Sequence, residues 1–148
     1  MKISKIAMGS DHAGYELKEI LKDWLTGFGY EINDYGTYST DPVDYPDFIH
    51  PVAQVVKERI VDCGIVICGS GNGAAITANK HQEIRAALCW NVEIARFAKQ
   101  HNDANIISLP ARYISQELAK EIVMAYLSSD FEGGRHSGRI DKIPCNCC

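Results

Sequence analysis

The hexapeptide Cys63-Gly64-Ile65-Val66-Ile67-Cys68 carries no polar side chain on either of its alternating faces. A strand apolar on both faces has to be covered on both, as a central strand of a parallel sheet flanked by helices is. The run passes into Gly69-Ser70-Gly71-Asn72-Gly73 and then into a helical stretch through Asn79. Strand, glycine-rich turn and helix in that order form the first part of a βαβ unit.

The same alternation runs through the chain. Ile6-Ala7-Met8 predicts a first strand, stopped by Gly9. Leu17, Ile20, Leu21, Trp24, Leu25 and Phe28 recur at helical spacing with Lys18, Glu19, Lys22 and Asp23 between them, and Gly27 and Gly29 suit the end of that helix. Tyr30 to Asn33 alternates as a strand, and Thr37 to Tyr45 is rich in loop formers. Phe48, Val52, Val55, Val56 and Ile60 predict a second helix, with Pro46 suited to its first turn and Pro51 expected to kink or restart it. Further on, Arg85 to Cys89 and Asn105 to Leu109 read as strands and Asn91 to Gln100 as a helix. Ser115 is the expected cap of a last helix carrying Leu118, Ile122, Ala125 and Tyr126 on its inner face. The expected fold is therefore α/β: a three-layer α/β/α sandwich around a Rossmann-like parallel sheet of about five strands. The 148 residues suit one domain, with a polar tail from about residue 128 that holds three glycines and two arginines.

A formal net charge of -4 argues against a nucleic-acid footprint, so an anionic ligand needs a local basic cluster. No segment stays apolar for the roughly 20 residues of a membrane span, and the first ten residues do not read as a secretion signal. The expected compartment is the cytoplasm, where cysteines stay reduced. Cys63, Cys68 and Cys89 lie in apolar runs that suit small core residues. Cys145, Cys147 and Cys148 lack a nearby histidine, make a poor tetrahedral metal set, and are expected to be a plain thiol tail. No metal or cofactor is expected.

Ligands of open parallel sheets bind outside the carboxyl ends of the strands. Three polar clusters fall there: Ser10-Asp11-His12, Gly69 to Gly73, and Ala111-Arg112. The glycine turn can aim several backbone N–H groups at an anion beside a helix start. It is neither the dinucleotide fingerprint nor a nucleotide P-loop, and a plain tight βα connection has the same composition. At the mouth of that turn the helix dipole would favour the thiolate of Cys68, although a buried strand-end cysteine would look no different. His12 and His101 are individually open to structural roles. Arg112, Arg135 and Arg139 fall late in an acidic chain, and a helical tail would put the last two on one face.

Six motifs taken together are more specific. Gly9-Ser10-Asp11-His12-Ala13-Gly14, Asp44-Tyr45-Pro46, Ile67 to Gly73, Ala78-Asn79-Lys80, Gln100 to Asn105 and Phe131 to His136 resemble, in order and spacing, the type B ribose-5-phosphate isomerases. The resemblance reaches from the first strand to about Ile143. It implies an aldose–ketose isomerase that interconverts ribose 5-phosphate and ribulose 5-phosphate; allose 6-phosphate and galactose 6-phosphate are the alternatives within the same superfamily. It implies that Asp11, His12, Tyr45 and Asn102 contact substrate and that Cys68 is the proton-abstracting base. A second branch uses a glutamate where this chain has Ala74. Ser70 stands where the family has Ser or Thr, and Gly69, Gly71, Asn72 and Gly73 complete the anion hole. His101 would open the sugar ring, and Arg112, Arg135 and Arg139 would bind phosphate. In the family His101 and the arginines serve the neighbouring subunit's site, so a homodimer or tetramer with shared sites is implied, its tail reaching the partner.

These residue types suit the reaction. Moving a proton between C2 and C1 through a cis-enediolate needs one base of suitable pKa, donors for the oxygen that becomes negative, and a grip on the phosphate. A non-catalytic sugar-phosphate sensor would need neither Cys68 nor His101, and no Cys-x-x-Cys pair next to a helix start supports a thiol redox protein.

Overall fold

A computed structural model describes residues 2–145; Cys147 and Cys148 of the proposed thiol tail lie outside them. In chain order the elements are β1 (Lys5–Ser10), α1 (Tyr15–Gly27), β2 (Glu31–Asp34), α2 (Tyr45–Lys57), β3 (Cys63–Cys68), α3 (Asn72–Ala78), β4 (Ala86–Leu88), α4 (Val92–Gln100), β5 (Ile106–Pro110), α5 (Gln116–Leu127) and α6 (Arg135–Ile140). The strands form one parallel sheet in the order β2-β1-β3-β5-β4.

The double-sided apolar character of β3 has the expected consequence. Cys63, Ile65 and Ile67 face a core built with Leu17, Leu21 and Leu25 of α1, Ala95 and Ala98 of α4, and Ile122, Val123 and Tyr126 of α5. Val66 and Cys68 face the opposite core, with Ile49, Val52, Ala53 and Val56 of α2 and Ala74 and Ala78 of α3. Helices thus cover both faces of the sheet. Because α1 leaves β1 on one face and α3 leaves β3 on the other, a crevice opens between the carboxyl ends of these neighbouring strands.

Two local expectations are corrected. Gly9 does not stop β1, which runs on to Ser10 in register with Ile67; the missing side chain makes room for the Phe48 carbonyl and Val52 of α2. Pro51 does not restart α2, which is continuous from Tyr45 to Lys57. The carbonyl that Pro51 leaves without an N–H belongs to Asp47, an exposed residue where water can replace the lost donor. Pro46 does occupy the first turn of this helix, and Ser115 caps α5 by accepting the Leu118 N–H at 3.1 Å. Among the described residues no helix is long and apolar enough to cross a membrane.

Candidate active site

The crevice end of the sheet collects one group of residues. The peptide after β3 is held open from below: Ala111 N–H donates to the Cys68 carbonyl and Arg112 N–H to the Gly69 carbonyl, both at 3.0 Å. Ser108 Oγ donates to the Gly71 carbonyl at 2.7 Å. Gly71 has φ +76°, and a β-carbon there would run into Leu88 and the Leu109–Pro110 backbone, so only glycine fits both the torsion and the space. The first-turn amides of α3 have no carbonyl of their own helix to bond. Ser70 Oγ accepts the Asn72 N–H at 3.3 Å and braces the turn from within.

Side chains from three other segments close around this turn. The Tyr45 ring, at the start of α2, packs on Gly73, and the Arg112 side chain lies on Gly69. Asp11 is buried and accepts the Gly14 N–H at 3.1 Å, which fixes its carboxylate at the entry to α1. His12 Nδ1 accepts the Val43 N–H at 3.1 Å. A neutral His12 therefore carries its proton on Nε2 and can donate from there. Cys68 ends β3 with only 4% of its surface exposed, on the α2–α3 side. Ala74 is fully buried, so no carboxylate lies just past the glycines. Cys63 and Cys89 are different: burial pushes each thiol up to about 12, which keeps both protonated near neutral pH.

His101 and Asn102 are not part of this group. They follow α4 and precede β5, so they sit at the amino end of the sheet, whereas Cys68 and Arg112 sit at its carboxyl end. The five residues of β5 alone put about 15 Å between the two ends. The tail folds back onto the amino end: Glu132 N–H donates to the Gln100 carbonyl at 3.0 Å, and α6 brings Arg135 and Arg139 to one helical face. His101, Asn102, His136, Arg139, Ile140 and Ile143 line a depression of about 320 Å³. Arg112 therefore parts company with the other two arginines, because it stays on its own chain's glycine turn.

Glu132 and His136 were given no role from the sequence, and both stand beside His101. Glu132 Oε2 is 3.9 Å from His101 Nε2 and 3.7 Å from His136 Nε2. The two imidazoles are stacked, with centroids 4.4 Å apart and planes 11° from parallel. The signal was the Glu132/His136 spacing of four within the Phe131–His136 motif. These three residues are the one group among the described residues whose ligand atoms lie close enough, within 4.8 Å of one another, to be considered for a metal ion.

A glycine turn, a thiol and an arginine at the switch point of a parallel sheet define an α/β protein with a candidate anion-binding crevice at its strand ends. The comparisons with known proteins narrow this class. Residues 6–143 match the family model described as Ribose/Galactose Isomerase, and the chain belongs to that family. It is 43% identical over 141 residues to ribose-5-phosphate isomerase B of Escherichia coli (strain K12), covering 95% of each chain. Among solved structures, a ribose 5-phosphate isomerase of Thermotoga maritima matches at 51% identity and TM-score 0.94, over 95% of this chain and 97% of that one. Ribose-5-phosphate isomerase B of Mycoplasma genitalium with bound ribulose-5-phosphate matches at 39% identity and TM-score 0.92, over 97% and 95%.

Proposed function

We propose that this chain is a cytoplasmic ribose-5-phosphate isomerase that works as a homodimer or larger even assembly, with each site completed by a neighbouring subunit. The observation that carries the reading is the group at the crevice, where Cys68, the Gly69–Gly73 turn and Arg112 meet Asp11, His12 and Tyr45 in a relative of a ribulose-5-phosphate-binding protein.

The roles follow from the chemistry. Cys68 takes the C2 proton of the open-chain aldose as thiolate and returns it at C1. Negative charge that develops on the substrate oxygen meets the turn's amides; one comparable donor is worth about 10²–10³ in rate. Ser70 braces those amides, and Asp11, His12 and Tyr45 hold the sugar's hydroxyl end. Because His101 and Asn102 lie at the far end of the same sheet, they serve a second copy's crevice, His101 opening the sugar ring there. Arg135 and Arg139 arrive with them and grip the phosphate, so that remote binding energy holds C2 against the thiol. The tail from about residue 128 is thus the segment that reaches the partner.

A coupled assay comparing ribose 5-phosphate, allose 6-phosphate and galactose 6-phosphate tests the reading. The expected result is the highest kcat/KM with ribose 5-phosphate; a clear preference for a six-carbon substrate would move the protein to another activity of the same family.

A further inference from the structure

The proposed reaction assigns His101 a proton transfer but leaves open what holds its ring. The imidazole is sandwiched between two rings: Phe97 at 4.5 Å and 16° on one side, His136 at 4.4 Å and 11° on the other. Its plane is fixed, and rotation within that plane remains to be set. Glu132 is the one carboxylate facing its Nε2 among the described ion pairs. Its own backbone is tied to the end of α4 through the Gln100 carbonyl. Gly133 and Gly134, at φ +65° and +55°, turn the chain so that His136 comes back over His101. His136 is buried, and its Nε2 has no hydrogen-bond partner among the described residues; that nitrogen also faces the Glu132 carboxylate.

We propose that Glu132 is the positioning residue for His101, holding the imidazole through Nε2 so that Nδ1 is presented to the sugar, with His136 as the stacked plate that keeps the ring in plane. This rests on the reading of His101 as the residue that opens the sugar ring. Opening ribofuranose breaks the C1–O4 bond; O4 gains a proton, and the O1 hydroxyl loses one as C1=O1 forms. An imidazolium gives its Nδ1 proton to O4 and becomes the neutral tautomer with the proton on Nε2. The same Nδ1 then accepts the O1 proton. A carboxylate at Nε2 stabilises both the imidazolium and that tautomer, as the third member of a triad does. The 3.9 Å separation is longer than a hydrogen bond. Such contacts are often long in substrate-free sites and tighten in the complex, and the half-exposed Glu132 side chain has room to close.

The trio fits a metal ion less well. Nearly parallel stacked rings aim their nitrogen lone pairs side by side and not at one point. Arg135 and Arg139 also act on His136 as nearby positive charges, which opposes a cation there.

The test separates ring chemistry from carbon chemistry. Ribulose 5-phosphate has no free O5 with which to close a five-membered ring, so exchange of its C1 hydrogen with D2O passes through the enediolate without ring opening. For Glu132→Gln, turnover of ribose 5-phosphate should fall on the order of a hundred-fold, the low end of what a positioned proton-transfer group contributes. The C1 exchange seen by NMR should stay close to the wild-type rate, and Glu132→Asp should restore part of the turnover. An unchanged turnover, or turnover and exchange falling together, would overturn the assignment. So would a wild-type activity lost to EDTA and restored by Zn²⁺, which would make the trio a metal site. A wild-type protein that exchanges and isomerises neither pentose phosphate would instead overturn the function on which the assignment rests, and the assignment with it.

Discussion

The guanidinium of Arg112 lies across the α-carbon of Gly69: a β-carbon built on that glycine would stand 3.0 Å from Nη1. The backbone N–H of the same arginine donates to the Gly69 carbonyl at 3.0 Å. One residue of the β5 end thus holds the glycine turn by its backbone and covers it by its side chain. Gly71 is constrained differently, by its φ of +76° and by the Leu88 side chain and the Leu109–Pro110 backbone that crowd it.

These two glycines should therefore fail in different ways. Gly69→Ala displaces only the flexible end of Arg112, so KM should rise up to about tenfold, the value of one weakened charge-assisted contact, with little change in Tm. Gly71→Ala strains the backbone and should lose about 1–3 kcal/mol of stability, at about 2–4 °C of Tm per kcal/mol. Calorimetry and steady-state kinetics on both variants check the contrast; equal loss of Tm in the two would contradict it.

Much of this arrangement was legible in the residues because it is local. The double-sided apolar run of β3 announced a parallel sheet, and the glycine turn after it marked a strand carboxyl end. Pro51 does not break α2 in two, because the orphaned carbonyl belongs to the exposed Asp47, and spacing does not encode that exposure. Lys18 falls between the apolar positions of α1, and spacing gives it no partner. In the fold it is fully buried, its Nζ 2.7 and 2.8 Å from the two oxygens of Asp34, sixteen residues away. The roles of Glu132 and His136 were hidden for the same reason, since the stack on His101 joins segments that only the fold brings together.

The Lys18–Asp34 pair makes a prediction about stability. Burial alone would raise the Asp34 carboxyl, but hydrogen bonds from Lys18, the Gly36 N–H and Lys22 outweigh it and hold the group below its ordinary 3.8. Its contribution is present above that value and is lost as pH falls through the lower folded one. Asp34→Asn leaves Lys18 buried beside only Glu19 and should destabilise by about 3–5 kcal/mol. Urea unfolding at pH 7 measures the loss, and a variant within experimental error of wild type would show that the pair adds nothing net.

The two core thiols set the alkaline limit. Cys63 and Cys89 sit near 12 in the fold against 9.0 for an ordinary thiol. Above pH 9 the unfolded chain loses protons that the folded one keeps, so stability present below pH 9 is lost as pH rises toward 12. Each thiol contributes a slope approaching about 1.4 kcal/mol per pH unit. Tyr126, also buried and raised, adds to the slope above pH 10. Cys63→Ala/Cys89→Ala should flatten the decline of the urea midpoint between pH 9 and 10.5; identical slopes for variant and wild type would refute the assignment.

Arg135 and Arg139 are expected to bind the phosphate and not to support the fold. Either one changed to Ala should raise KM for ribose 5-phosphate roughly ten- to a hundred-fold, with part of the loss in kcat as C2 drifts from Cys68. Lysine should rescue incompletely, because a point charge cannot make the two-pronged contact. Unphosphorylated ribose is the control: its slow turnover should barely change, and equal damage to both substrates would assign the arginines to structure.

The central claim is that catalysis needs Cys68 of one chain and His101 of another. It is tested by mixing, after unfolding and refolding together, Cys68→Ala protomers with His101→Ala protomers. Each variant alone should be inactive. In a randomly assorted dimer population half the dimers are mixed and each has one intact site, so about a quarter of the wild-type activity should return. A mixture that stays inactive although mass spectrometry shows the mixed dimer would mean that Cys68 and His101 do not form a shared site.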